Sequence, residues 1–170
     1  IRGGMDNIKK ILLYCYEYPP IGGGAGNALW HLTREWARSG VDCTVVTSAY
    51  AEHVGEQTDD AGVRVIRLEV GRSEAGRGRV GEMVRYMRAS RASAEALAKR
   101  LKPDLSVAFM TVPSGAAPYL LSRRLGLPMV TELRGGDVPG FDPASLRLYH
   151  ALTRPMIRAI WKKSALVVAN

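Results

Sequence analysis

The chain has 170 residues, of which 46% are hydrophobic and 24% charged, the profile of one ordinary globular domain with room for a proper core. No apolar run approaches the roughly 18–20 residues of a membrane span, and no signal-peptide core follows the N-terminus, so the cytoplasm is the expected compartment. The net charge of +8 points to solvated basic helix faces or, alternatively, to an anionic surface or acidic substrates. Nucleic acid is disfavoured because no aromatic interleaving or known module motif accompanies the charge.

Residues 1–4 (Ile1-Arg2-Gly3-Gly4) precede Met5 and read as a cloning remnant, leaving 5–170 as the domain. Lys10–Tyr16 reads as the first strand, because Ile11-Leu12-Leu13-Tyr14-Cys15 is the continuous apolar run of a strand buried on both faces. A glycine-rich segment, Ile21-Gly22-Gly23-Gly24-Ala25-Gly26-Asn27, then leads into a helix over Asn27–Ser39 that Gly40 can cap. Asp42–Thr47 and Val63–Leu68 read as the second and third strands. Gly71–Gly78 reads as a flexible polar loop before a helix over Val80–Leu101. There Val80, Met83, Val84, Met87, Ala94, Leu97, Ala98 and Leu101 share one face, with Arg91 interrupting and snorkelling outward. Pro103 ends that helix before a strand at Leu105–Phe109. Ser114 is the expected N-cap of a helix to Leu125, closed by Gly126 and Pro128. Met129–Glu132 is the fifth strand, Ala144–Lys163 a helix kinked or split at Pro155, and Leu166–Ala169 the sixth strand.

Strands alternating with helices predict an α/β fold, a Rossmann-like, doubly wound parallel sheet in three αβα layers. Right-handed crossovers favour the strand order 3-2-1-4-5-6. Cys15 and Cys43 fall in different strands and read as buried thiols. His31, His53 and His150 lack metal-ligand spacing and read as structural, so no metal site is expected. The chain stops at Asn170 in or just after a strand, which reads as a fragment of a longer protein.

Two clusters fall at the carboxyl ends of strands, where open parallel sheets bind ligands. The first is Gly22, Gly23, Gly24 and Asn27, with a plain turn as the alternative reading. Glycines let the backbone approach an anion, and a helix start carries roughly half a unit of positive charge. The dinucleotide fingerprint does not fit, since its third glycine would fall on Asn27 or Leu29, and Thr47-Ser48 replaces the ribose-binding acid. No G-K-[ST] follows for a Walker loop, and Val112-Pro113-Ser114-Gly115 is no nucleophile elbow. The second cluster is Glu132, Arg134, Gly135, Gly136 and Asp137, a guanidinium among carboxylates and glycines, with Thr111 and Ser114 aimed at the same edge. Its plain alternative is a structural turn with an Arg–carboxylate pair. Arg85, Arg88, Arg91 and Lys99 lie on a basic, methionine-bearing helix and are candidates for an anionic membrane surface, with solvated arginines over core methionines as the alternative.

Several stretches resemble one family. Tyr18-Pro19-Pro20 with Gly22-Gly23, Leu32 to Thr47, Lys102-Pro103-Asp104-Leu105, Leu127 to Thr131, Arg134-Gly135-Gly136-Asp137 and Ala165 to Asn170 are similar, in order and spacing, to family 4 glycosyltransferases of the GT-B fold. The resemblance implies the N-terminal, acceptor-side half of a two-domain enzyme. The C-terminal nucleotide-sugar domain, with its E-x7-E element, would be absent. It further implies retaining transfer from a nucleotide-sugar to a glycan or lipid-linked acceptor, without cofactor or metal. The implied partners are the donor, the acceptor and the second domain; the basic helix adds an anionic membrane, at the inner face of the plasma membrane, as a candidate. Gly22 and Gly23 would approach the donor diphosphate, while Arg134 replaces a frequent histidine near the transferred sugar and, with Asp137, is the candidate for a catalytic contact. The isolated 170 residues are not expected to transfer sugar. The alternatives are half of a nucleotide-sugar epimerase or a non-catalytic phosphate-binding module.

Overall fold

The computed structural model describes residues 8–76, 78–134 and 147–169, with only the backbone of 147–150. Arg77, Gly135, Gly136, Asp137 and Asn170 lie outside the described residues. The elements are β1 (Lys10–Tyr14), α1 (Gly24–Arg38), β2 (Asp42–Ser48), β3 (Gly55–Thr58), β4 (Arg64–Leu68), α2 (Val80–Leu101), β5 (Leu105–Phe109), α3 (Ala116–Leu125), β6 (Met129–Glu132), α4 (Arg147–Lys163) and β7 (Leu166–Val168). They build one sheet of order β3-β4-β2-β1-β5-β6-β7.

Six of these strands are the expected ones and run parallel in the expected order. The correction is a seventh, β3, which pairs antiparallel with β4 at the edge. All four of its residues, Gly55-Glu56-Gln57-Thr58, are exposed, so no apolar alternation announced it. Its polar side chains suit an edge strand, where charge discourages further pairing.

Each sheet face has its own core. Leu13, Cys15, Val45, Val65, Val107 and Phe109 pack with Leu29 of α1. Leu12, Tyr14, Val46 and Ile66 pack with Ala94, Leu97 and Ala98 of α2 and with Ala117 and Leu121 of α3. Burial of β1 on both sides is what its unbroken apolar run requires. Cys15 and Cys43 are free, buried thiols.

Four local expectations are corrected. The helix α1 starts at Gly24, so Asn27 lies inside its first turn, its N–H bonded to the Gly23 carbonyl at 3.1 Å. Ser114 does not cap α3. The N-cap is Gly115, and the Ser114 hydroxyl accepts the Tyr16 N–H at 3.2 Å instead. Pro155 neither breaks nor splits α4, which runs through it. The buried face of α2 is Glu82, Tyr86, Ser90, Ala94, Leu97 and Ala98, while Val80 is 73% exposed. The expected stripe holds only in the second half of that helix. In the first half the core takes polar-tipped residues, because a tyrosine hydroxyl and a carboxylate find partners there: Tyr86 donates to the Val46 carbonyl at 2.8 Å. Arg91 is therefore on the exposed side and has no need to snorkel.

Candidate functional site

After β1 the chain runs Cys15-Tyr16-Glu17-Tyr18-Pro19-Pro20 along the carboxyl edge before turning into α1. Several bonds pin this stretch. Ser48 donates to the Tyr16 carbonyl at 2.7 Å, Arg67 donates to the Pro19 carbonyl at 2.7 Å, and the Tyr18 and Thr33 hydroxyls pair at 3.1 Å. Gly26 packs so closely on the Glu17 backbone that a Cβ there would lie 3.0 Å from it. The start of α1 is thereby held against the end of β1.

That start is bare. It has no side-chain cap and no acid in its first turn. The first intrahelical bond comes from Asn27, so the preceding amides lack helical acceptors. Gly22 and Gly24 have open space where a Cβ would project. Gly23 differs: its φ of 151° excludes most side chains, and a Cβ there would collide with the Glu17 carboxylate.

Glu17 faces Arg72, whose Nη2 is 3.8 Å from Oε1. Burial raises the Glu17 carboxyl above the usual range, and Arg72 counters it. Arg72 comes from the β4–α2 loop, the polar loop expected there. Its side chain is fully buried, lies 4.5 Å over the Tyr16 ring, and donates to the Glu74 and Ala75 carbonyls at 2.9 and 3.1 Å. Glu82 locks the same loop. It accepts from the Ser73 amide and hydroxyl, the Arg79 amide and the Tyr16 hydroxyl. Burial alone would raise its carboxyl, but these donors hold it at about 2.

On the other side of β1, the end of β6 carries a second pair. Arg134 donates to Glu132 at 2.5 Å and lies 4.5 Å over the Phe109 ring. Burial raises the Glu132 carboxyl, and Arg134 counters it. Cys15 lies within the electrostatic reach of Glu17, Arg134 and Glu132. The two loops therefore share one edge, because β1, β5 and β6 are consecutive neighbours.

The remaining candidates divide. Thr111 and Ser114 are buried, and the Thr111 hydroxyl accepts the Trp161 indole N–H at 2.9 Å. Asn27 is exposed at the helix start. Arg85 is turned back into the fold, donating to the Val70 carbonyl at 2.6 Å. Lys99 is exposed, and Arg88 and Arg91 border a groove between α2, α3 and α4. Sequence reasoning missed Glu17 and Arg72, the only signal being an acid directly after a buried strand. Among the described residues, no group of three or more His, Cys, Asp or Glu is placed to hold a metal ion.

From Gly23 of the glycine turn onward, through α1–α4 and Arg134, the chain falls within residues 23–170, the span matched by the glycosyl transferase 4-like domain family. The chain belongs to that family. No curated protein sequence matches it significantly. Among solved structures, sucrose-phosphate synthase from Thermosynechococcus elongatus aligns with a TM-score of 0.71 at 17% identity, over 94% of this chain and 41% of that one. A second structure of that synthase aligns at 0.59 and 13% identity, over 95% of this chain and 76% of that one. A glycosyltransferase from Streptomyces sp. SF2575 gives 0.48 at 19% identity, over 91% of this chain and 44% of that one. The likeness to the synthase shows the fold, a Rossmann-like α/β sheet. The chain spans about two fifths of the synthase it first matches. No helix among the described residues is long and apolar enough to cross a membrane.

Proposed function

We propose that this family 4-like domain is the acceptor-side half of a retaining glycosyltransferase that uses a nucleotide-sugar donor and a glycan or lipid-linked acceptor. One observation carries the reading: the family match covers, from Gly23 on, all but the first strand of a mostly parallel sheet whose carboxyl edge bears a bare, glycine-rich helix start and the Arg134–Glu132 pair. Transfer of this kind needs the acceptor hydroxyl positioned and the departing diphosphate stabilised by amides and cations. The amides after Gly23 supply the first kind of donor and Arg134 the second, with Asp137 a further candidate. A second domain would grip the nucleotide, and no metal is required by this scheme.

The test is a transfer assay with a panel of nucleotide-sugars, run on the 170-residue chain and on the chain with a second domain. Transfer is expected only from the two-domain protein. Transfer by the isolated chain, or by neither, sinks the reading. An anionic membrane as the site of action is the finer part. It is supported by Arg88 and Arg91 bordering, with Arg123 and Arg124, a groove floored by Met87, Leu120 and Met156. Each basic residue near an anionic surface contributes about 1 kcal/mol. Co-sedimentation with anionic but not neutral vesicles, lost on neutralising Arg88 and Arg91, is the expected result. Arg85 is left out of that variant because it is spent on the Val70 carbonyl.

A further inference from the structure

We infer that Arg72 and the start of α1 form a phosphoryl-binding site which the Glu17 carboxylate fills while no ligand is bound. The inference rests on reading the glycine turn as phosphate-facing, and it adds two residues that the family resemblance does not implicate.

The carboxylate spans the site. One oxygen is 3.8 Å from Arg72 Nη2, and the other occupies the space in which a Gly23 Cβ would sit. An anion of the chain's own thus lies between a guanidinium and an uncapped helix start, the two features that favour a phosphoryl group. It fits poorly. A separation of 3.8 Å is an ion pair without a hydrogen bond, and among the described residues no donor is bonded to the Glu17 carboxylate. Arg72 is equally under-used: its side chain is fully buried, two of its nitrogens bond backbone carbonyls, and Nη1 has no acceptor. Buried polar groups are nearly always satisfied, so an exception requires a cause.

A phosphoryl group would remove that exception. It carries at least the charge of the carboxylate and offers oxygens in three directions, enough for Arg72 and the α1 amides together. Glu17 lies in the segment preceding the turn, is 20% exposed at its side chain, and can rotate toward solvent as the ligand enters. Arg72 is held by two backbone carbonyls and the Tyr16 ring, and so stays in place. Glu17 is then a resident competitor that also keeps a buried guanidinium from standing alone in the empty domain.

The phosphoryl group could belong to a donor diphosphate or to a phosphorylated acceptor, and the probes separate these. Pyrophosphate and inorganic phosphate are titrated calorimetrically into the 170-residue chain and its variants at low ionic strength. Glu17→Gln, which keeps the shape and removes the competing charge, is expected to tighten binding by about tenfold or more. Arg72→Gln is expected to abolish it. Because Arg72 is buried, thermal melts accompany the titrations, and Glu17→Gln carries the test if Arg72→Gln does not fold. Preference for pyrophosphate assigns the site to a diphosphate, and equal binding assigns it to a phosphomonoester. Unchanged or weaker binding by Glu17→Gln, wild-type binding by folded Arg72→Gln, or no binding of either anion by any variant overturns the site. Sugar transfer by the two-domain protein with anion binding indifferent to Glu17→Gln would sink this site alone. Tightened binding without transfer would sink only the glycosyltransferase reading.

Discussion

Two arginine–carboxylate pairs stand at the same sheet edge, and they are built in opposite ways. Arg134 and Glu132 are neighbours along the chain, meet at 2.5 Å, and keep 19% and 15% of their side chains exposed. Arg72 and Glu17 come from different loops and stay 3.8 Å apart, with the guanidinium fully buried. Both guanidiniums lie 4.5 Å over an aromatic ring, Phe109 in one case and Tyr16 in the other. The first pair is a local, hydrogen-bonded contact with access to water. The second is a tertiary contact in which each charge depends on the other but neither is hydrogen-bonded to it. A ligand gains little by displacing the first and can improve on the second.

The largest expected effect separates the pairs by stability. Arg72→Ala should destabilise by about 3 kcal/mol, since it strips a buried pair of one partner. Arg134→Ala should lose less, about 1–2 kcal/mol, because it removes a charge-assisted bond at a guanidinium that keeps 19% of its side chain exposed. Denaturant unfolding of both variants reads the difference, and equal losses would break the comparison.

Glu82 tests whether the Arg72 loop is as firmly set as the contrast requires. Removing its charge in Glu82→Gln should cost about 2 kcal/mol, because at least one buried donor loses its partner. Its pH signature has a definite sign. A carboxyl held at about 2 when folded, against 4.5 for the free group, contributes stability that is complete above 4.5 and lost as pH falls toward 2. Acid titrations monitored by circular dichroism should therefore show a shallower loss over that window in Glu82→Gln than in the wild type.

A smaller effect sharpens the role of the glycine turn. Gly23→Ala should lose about 1–2 kcal/mol through its positive φ and by evicting the Glu17 carboxylate. Gly22→Ala meets open space and should shift the melting point little. Matching shifts would mean that the carboxylate does not constrain Gly23. The smallest effect is expected far from the edge: Arg88→Gln and Arg91→Gln, on the exposed side of α2, should stay within about 0.5 kcal/mol of wild type.

The fold was legible where the signals are local. Continuous apolar runs mark β1 and β5, Pro103 and Gly126 mark helix ends, and the helix expected at Val80–Leu101 has those bounds in the fold. Crossover handedness then leaves few orders for six parallel strands, and the order of those six is the expected one. The Glu132–Arg134 end of the site was legible for the same reason, both residues lying within one short stretch. Gly135, Gly136 and Asp137, which complete that cluster in the sequence, lie outside the described residues.

Other features depend on neighbours that are distant in sequence. The hydrophilic β3 is a strand only because β4 offers an open ladder edge. Glu82 and Tyr86 are buried because Ser73, Arg79 and Val46 hold their polar ends, a gain that a hydrophobic period cannot register. Glu17 and Arg72 meet because the β1–α1 and β4–α2 loops emerge at one edge of the sheet. By itself the sequence determined the elements, their order and the edge at which chemistry gathers, since these follow from periodicity, chain-breaking residues and handedness. The tertiary structure alone decided which charges face one another there, because burial and long-range packing set that distance, and no spacing along the chain encodes it.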